Sequence, residues 1–318
     1  LGRVHCFKDK NIEFLLNKGM AYEAIICELI RWELMKNGFN IEKNKKNLMF
    51  KTVNNKKIKV FHERDPEKLP WKKEKIDLVI ESTGAFTKRE GAMKHVDSGA
   101  KRVLISAPSK DCDRCVVMGV NNLSLKNRDK IISAASCTTN CLTPMVKIID
   151  DNFKIKSAQF VTTHAITSTQ HLIDDEDEKD MRRGRAASLN IVPTTSGAAI
   201  ATIMVLPELR GKIDGYALRV PIMNGSITSL FAQVQKKTTV DQIKKVFKKA
   251  AQGKMKNILE YTEDSIVSSD IIHNPHSCIF DSNLTGVDRN LISIAGWYDN
   301  EWGYSNRLVD LAKLILGR

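Results

Sequence analysis

Short apolar runs alternate with amphipathic stretches through the first half of the chain. Lys59 to His62 and Ile76 to Glu81 (I-D-L-V-I-E) have the length and β-branched content of strands, the second followed by Ser82, Thr83 and Gly84. Lys88 to Ser98 has helical periodicity and stops at Gly99, a residue suited to the left-handed turn that ends helices. Arg102 to Ser106 (R-V-L-I-S) is a second buried strand closed by Ala107 and Pro108. Strand, helix and strand joined by short turns predict a βαβ unit and a parallel sheet. Ala21 to Leu34 is apolar but broken by Glu23, Glu28, Arg31 and Glu33, so it predicts an amphipathic helix, not a membrane span or signal peptide.

The second half has longer strands: Ala158 to Thr163, Gly215 to Pro221, Ile227 to Gln235 and Leu291 to Trp297. Among them Val240 to Gln252 is an amphipathic helix with Val240, Ile243, Val246, Phe247 and Ala250 on one face. Asn306 to Leu316 is helical and predicted to return to the first domain. The fold class is α/β, with a second, α+β domain built on a mixed or antiparallel sheet.

Length and composition refine this picture. At 318 residues, 42% hydrophobic, the chain suits two globular domains. Seven cysteines, without the spacing of a disulfide framework, point to free thiols, a reducing compartment and hence the cytoplasm. Cys112 and Cys115 form a C-x-x-C pair, but no second pair or histidine stands at zinc spacing, so no metal is expected. The net charge of +13 is clustered: Lys36 to Lys75 holds thirteen basic against five acidic residues, and Lys236 to Lys256 holds eight lysines against Asp241. No aromatic-interleaved basic motif accompanies it, so weak nonspecific nucleic-acid binding is the expectation.

Three stretches carry chemistry. In S-A-A-S-C-T-T-N-C-L-T (Ser133 to Thr143) a strand meets small polar residues and then a helical run, Leu142 to Asn152, so Cys137 sits where a helix begins. Unpaired N–H groups and the helix dipole favour a thiolate there and can hold an oxyanion. Ser136 and Thr138 flank it with hydroxyls that suit an anionic oxygen. In V-T-T-H-A-I-T-S-T-Q (Val161 to Gln170) a strand delivers His164, a candidate base, followed by Thr167 and Thr169. In Arg182 to Ala199, three arginines precede the T-T-S-G turn, Thr194 to Gly197, a combination suited to phosphorylated ligands. The acidic run Asp174 to Asp180 just upstream would repel an extra 2′-phosphate on a cofactor lying near it.

Taken together, S-C-T-T-N-C, H-A-I-T-S-T-Q, P-T-T-S-G-A-A, R-V-P (Arg219 to Pro221) and W-Y-D-N-E-W-G-Y-S-N-R (Trp297 to Arg307) resemble successive signatures of the glyceraldehyde-3-phosphate dehydrogenase family, from about Val53 onward. The resemblance implies a Rossmann-type dinucleotide-binding domain over 1–136, completed by a C-terminal helix at 304–318, and a catalytic domain over 137–303. It implies an NAD-dependent enzyme in which Cys137 attacks the aldehyde, His164 takes the proton, and inorganic phosphate releases the acyl group from a thioester. It assigns the phosphate of glyceraldehyde 3-phosphate to Thr167, Thr169 and Arg219, and the attacking phosphate to Ser136, Thr138, Ser196 and Gly197. Ser196 stands where the family usually has threonine. Asn300 would hold the nicotinamide carboxamide with Tyr304 nearby, while Arg64, Ser82, Thr83, Gly84 and Ser106 would line the adenosine side. A homotetramer is the expected assembly.

The resemblance is weakest at the start. The chain opens at Leu1, not at a methionine, which suggests a missing N-terminal piece. Gly2, Arg3 and Val4 fit the tail of the family's glycine-rich cofactor turn, but His5 replaces its last glycine. An incomplete first βα unit is therefore expected. Neither the acidic residue that would bind the adenosine ribose (Leu15 to Tyr22 reads L-L-N-K-G-M-A-Y) nor a family motif near Glu33 to Gly38 is found. Two other readings stand beside the leading one: a relative acting on erythrose 4-phosphate, and a catalytically impaired homologue that binds anions or nucleic acid.

Overall fold

Apolar runs bounded by tight turns must bury both faces, as the strands Leu78–Ser82, Arg102–Ile105 and Ile131–Ser133 do, whereas the longer strands of a second sheet alternate buried and more exposed positions. A computed structural model of the chain describes residues 3–7, 48–53, 56–61, 63–178 and 180–317. The predicted helix at 21–34, Gly2, and the stretches at 15–22 and 33–38 lie outside these. The chain divides into two compact units: Leu1–Arg114 with Lys126–Ser133 and Ala312–Arg318, and Cys115–Leu125 with Ala134–Leu311.

The first unit contains β1 (Arg3–Phe7), β2 (Leu48–Val53), β3 (Lys56–Phe61), α1 (Trp71–Glu74), β4 (Leu78–Ser82), α2 (Arg89–Asp97), β5 (Arg102–Ile105), β6 (Arg114–Cys115) and β7 (Ile131–Ser133). The five-stranded sheet has the order β1-β4-β5-β7-β6, and β4, β5 and β7 run parallel, as the βαβ pattern predicts. Arg3 and Val4 are not in a turn entering a helix. They belong to a strand antiparallel to β4, Arg3 lying opposite Ser82. The physical reason is plain: R-V-H-C-F is strand-compatible, and the β4 edge would otherwise expose unpaired N–H and C=O groups. The strand foreseen near Lys59 is one arm of a separate antiparallel ribbon, β2 with β3.

Leu69, Trp71, Ile76, Val79, Ala92, Val103, Ile105 and Ile131 form the buried core of this unit. Gly99 is required after α2: its φ is +114°, and a Cβ there would fall 2.5 Å from the Lys72 side chain. A polar chain crosses the core. Trp71 Nε1 donates to His95 Nδ1 at 3.0 Å, so the other ring nitrogen, Nε2, faces Glu81 Oε2 at 3.0 Å as a donor. Glu81 Oε1 in turn accepts from the backbone N–H of Thr83 at 2.7 Å, and from its hydroxyl.

The second unit contains α3 (Cys137–Phe153), β8 (Ile155–Ala165), β9 (Val192–Thr195), α4 (Ala198–Val205), β10 (Ile213–Val220), β11 (Ser226–Val234), α5 (Val240–Gln252), β12 (Leu259–Thr262), β13 (Cys278–Asp288), β14 (Leu291–Tyr298) and all but the last turn of α6 (Trp302–Ile315), which from Ala312 on counts with the first unit. Its seven-stranded sheet has the order β12-β13-β14-β11-β8-β10-β9. It is mixed, as expected: β10 runs parallel to β8, while β11 is antiparallel to β8 and β14. α5 has the predicted bounds because a capping box of Thr239 and Gln242 starts it. Ile243 and Phe247 bury its apolar face, Phe247 stacking on Phe280 with centroids 3.8 Å apart.

Candidate active site

α3 begins five residues earlier than its apolar run suggests, because Ser136 caps it: Ser136 Oγ accepts from Thr139 N at 3.2 Å. Cys137 is therefore the first helical residue. The turn before it is strained, with Ala135 at φ +58°, a left-handed conformation that costs a non-glycine residue about 1–2 kcal/mol. Two side chains hold it. Asn140 Nδ2 donates to the carbonyls of Ala134 and Ser136 at 2.9 Å each, and Tyr304 Oη donates to Ala135 O at 3.0 Å.

His164, near the end of β8, reaches this helix start: Cys137 Sγ lies 3.3 Å from His164 Nε2. The imidazole is buried, and burial, then the Arg219 charge, lowers its pKa to about 3, opposed by its contact with Ala165 O. Nδ1 lies 2.7 Å from Ala165 O and 2.6 Å from Arg219 Nη1, which also donates to Ala165 O at 3.0 Å. Arg219 is opposite His164 in the β10–β8 register. Burial lowers the guanidinium pKa, with Cys137 acting in the opposite sense.

Tyr298 completes this cluster and was not singled out from sequence. Its hydroxyl lies 3.0 Å from Thr138 Oγ1 and 2.7 Å from Thr162 Oγ1, and its ring meets His164 edge-on at 5.9 Å. Burial raises the phenol pKa, so it stays a neutral hydroxyl. Thr138 thus offers the site its backbone, while its hydroxyl anchors Tyr298. Only the W-Y-D-N context flagged Tyr298; nothing in its spacing linked it to Thr138.

The hydroxyl set foreseen after His164 is present. Thr167 Oγ1 and Thr169 Oγ1 are 3.1 Å apart, and buried Gln170 holds both, through Oε1 to Thr167 and Nε2 to Thr169. Arg183 Nη2 reaches Thr195 Oγ1 at 3.4 Å, which joins the arginine run to the T-T-S-G turn. Ser196 Oγ accepts from Ala198 N, and Gly197 precedes α4 with open space where a Cβ would stand. The Nε atom of Arg219 and the hydroxyl of Thr194 are buried with no hydrogen-bond partner, and Arg183 Nε, also without one, lies 3.7 Å from an Asp180 carboxylate oxygen. Unmatched buried donors of this kind call for an anionic ligand. Parts of the acidic run pair within the same loop: Asp174 with Arg185 and Asp180 with Arg183.

Asn300 is fixed by its oxygen, which accepts from Gly225 N and Ser226 Oγ at 3.2 and 2.8 Å, so its amide NH2 is directed away from them. In the first unit, Ser82 and Ser106 follow one another at the C-terminal ends of parallel strands β4 and β5, where open α/β sheets bind ligands. Ser82 Oγ is buried without a partner, and Gly84, at φ +75°, has nothing within 4 Å of a Cβ position. An unmatched hydroxyl beside an uncovered glycine turn fits a nucleotide. Arg64 is exposed nearby in sequence. Among the described residues no group of three potential metal ligands gathers, and no helix is long and apolar enough to cross a membrane.

A parallel α/β unit with a ligand-ready strand end, and a second unit with a capped-helix cysteine facing a buried histidine, are features of a dinucleotide-dependent enzyme. Residues 136–300 match the C-terminal domain of glyceraldehyde 3-phosphate dehydrogenase, and residues 3–89 match its NAD binding domain. Glyceraldehyde-3-phosphate dehydrogenase 2 of Streptomyces avermitilis is 52% identical over 266 residues, covering 83% of this chain and 79% of that protein. The Streptomyces coelicolor enzyme of that name is 54% identical with the same coverage, and that of Mycobacterium avium 54% over 81% of this chain and 76% of its own. The chain belongs to the glyceraldehyde-3-phosphate dehydrogenase family.

Proposed function

We propose that this chain is the NAD-dependent, phosphorylating enzyme of its family. It oxidises D-glyceraldehyde 3-phosphate, with inorganic phosphate, to 1,3-bisphosphoglycerate in glycolysis. The observation that carries the reading is the 3.3 Å approach of Cys137 Sγ to His164 Nε2 at a helix start, in a member of this family. Sγ attacks the aldehyde carbon, and the S–C bond forms as the carbonyl oxygen becomes an alkoxide held by helix-start N–H groups. His164 exchanges the proton between sulfur and this oxygen. NAD, when bound, supplies the hydride acceptor. The acyl group then on Sγ is a thioester; a phosphate oxygen adds to its carbon, the C–S bond breaks, and sulfur leaves as thiolate.

Arg219, Thr167 and Thr169 take the substrate's phosphate, supported by the unpartnered Arg219 Nε and the Gln170-held hydroxyl pair. Ser136, Thr138, Ser196 and Gly197 receive the attacking phosphate through hydroxyls and N–H groups. Ser82, Thr83, Gly84 and Ser106 hold the nucleotide side of NAD together with Arg3, Val4 and Arg64, and Asn300 its carboxamide. Tyr304 serves that end indirectly, by bracing the Cys137 turn. Withholding phosphate should trap a three-carbon acyl adduct on Cys137, visible by mass spectrometry, and Cys137→Ser should abolish it. An adduct elsewhere, or activity in the serine variant, would sink the mechanism.

The enzyme works in the cytoplasm as a homotetramer. That Cys112, Cys115, Cys137, Cys141 and Cys278 form no disulfide supports a reducing compartment. Exposed Leu172, Ile173, Met181, Leu189 and Ile191, within one loop region, support self-association. A monomeric mass in light scattering would count against the assembly. The exposed lysines of α5 support weak, salt-sensitive nucleic-acid binding.

A further inference from the structure

A one-way chain of donors runs through the core of the first unit. The indole of Trp71 can only donate, so His95 Nδ1, 3.0 Å from Trp71 Nε1, must present a lone pair. The imidazole proton is then on Nε2, which donates to Glu81 Oε2 at 3.0 Å. The side chains of Glu81 and His95 are fully buried, and among the described residues the other partner of the carboxylate is Thr83. Thr83 brings two donors to Glu81 Oε1, its backbone N–H at 2.7 Å and its hydroxyl. The same hydroxyl accepts from Ala85 N at 3.1 Å, so its proton is spent on the turn it belongs to. What this turn leaves for a ligand is Ser82 Oγ, buried without a partner, beside the open space at Gly84.

We propose that Glu81 is a positioning residue for the dinucleotide: held by His95 and Trp71, its carboxylate sets the Ser82–Ala85 turn in the shape that receives NAD. This rests on the reading above that the turn takes the nucleotide side of NAD. A turn fixed before the ligand arrives costs less to order on binding, so the fixing shows in affinity and not in the chemical step. A carboxylate suits the task because both of its oxygens only accept. An amide in its place has one accepting and one donating end. With its oxygen kept on Thr83, its NH2 meets the Nε2–H of His95. The ring escapes by moving its proton to Nδ1, but the Trp71 N–H already points there. With the amide turned round, its NH2 meets the Thr83 N–H instead. Removing the indole donor opens the first of these routes, so a core tryptophan decides whether glutamine is tolerated at a nucleotide turn.

The test is calorimetric titration of NAD into the full chain and into Ser82→Ala, Glu81→Gln, Trp71→Phe and the last two combined, beside steady-state KM for NAD and kcat. Glu81→Gln should raise both Kd and KM for NAD ~10-fold, the scale of one mis-set buried hydrogen bond. Its kcat at saturating NAD should stay within about twofold of the parent's. On the Trp71→Phe background the same change should cost less than ~3-fold. A role in stability alone, read by urea unfolding, would move neither the affinity nor this coupling. Parent-like affinity in Glu81→Gln, or an equal loss on both backgrounds, overturns the positioning role, and weaker NAD binding by Ser82→Ala then leaves the nucleotide assignment standing. Parent-like affinity in Ser82→Ala, or no binding by the parent, overturns the assignment and the positioning role together. Selectively ¹⁵N-labelled histidine, with His95→Gln for assignment, tests the chain without altering it. The parent should show a neutral His95 ring protonated at Nε2, with a signal that shifts when NAD binds, because coupling is reciprocal. A ring protonated at Nδ1, or one unmoved by bound NAD, overturns the proposal even where Glu81→Gln does not fold.

Discussion

Asn140→Ala tests whether the nucleophile's position depends on the strained turn before it. Asn140 is buried, one helical turn beyond the cysteine, and its amide ties the carbonyls on either side of Ala135. Each neutral hydrogen bond contributes about 1 kcal/mol net, and a buried carbonyl left unmatched costs about 1–3. Ser136 O keeps its bond from the Asn140 backbone N–H, so the loss falls mainly on Ala134 O. Alanine recovers about 0.5 kcal/mol of helix propensity. The net destabilisation is about 2–3 kcal/mol, comparable with the left-handed cost at Ala135, so the turn has reason to relax. A shift of about 1 Å at the reacting sulfur lowers turnover ~100-fold. Steady-state kcat, read beside the alkylation rate of Cys137 and a urea unfolding curve, separates lost positioning from lost folding. Parent-like kcat, within about twofold, in a chain measurably less stable would refute the view that this turn sets the geometry.

Two further substitutions probe the second unit. His164 stays neutral down to about 3, against an ordinary value of 6.5, so above 6.5 it contributes no pH dependence. Between those values the unfolded chain binds a proton that the folded chain does not, so stability is lost as pH falls, by ~1.4 kcal/mol per unit and ~5 kcal/mol in all. His164→Asn should flatten the acid side of the stability curve; an unchanged slope would show that the imidazole is not held neutral. Gly296→Ala would place a Cβ 2.5 Å from Cys278 Sγ, 2.9 Å from Met145 Sδ and 3.2 Å from Cys141 Sγ. Overpacking of that kind should cost ~1–3 kcal/mol, seen as a lower urea midpoint, and a parent-like midpoint would mean the sulfurs rearrange freely.

What was legible in the chain was what periodicity and local chemistry encode. β4, α2 and β5 follow from an apolar run, a helical face and Gly99, and α5 begins and ends where its pattern does. Cys137 and His164 stood out because small polar residues at a helix start and a histidine at a strand end are local signals. Partners brought in by tertiary structure carried no such mark. Tyr298, Gln170 and Asn140 gain their roles through hydrogen bonds to hydroxyls and carbonyls, two of them to residues close in sequence but unremarkable by type. β13 was missed because Asn283 and Gly286 interrupt its apolar pattern, and its ladder shifts register there. The antiparallel β1 depended on the open edge of β4, which composition does not reveal.

The polar chain from Trp71 through His95 and Glu81 to Thr83 makes the Ser82–Gly84 turn, proposed above to hold the nucleotide, optically addressable. Every link is a directional bond, the first two inside the core, so displacing Thr83 moves the carboxylate, and the carboxylate is one bond from the imidazole that the indole N–H contacts. Indole emission responds to changes in its hydrogen bond. A chain retaining Trp71, with Trp32, Trp297 and Trp302 replaced by phenylalanine, would carry an internal fluorophore coupled to that turn, reporting occupancy without an added label.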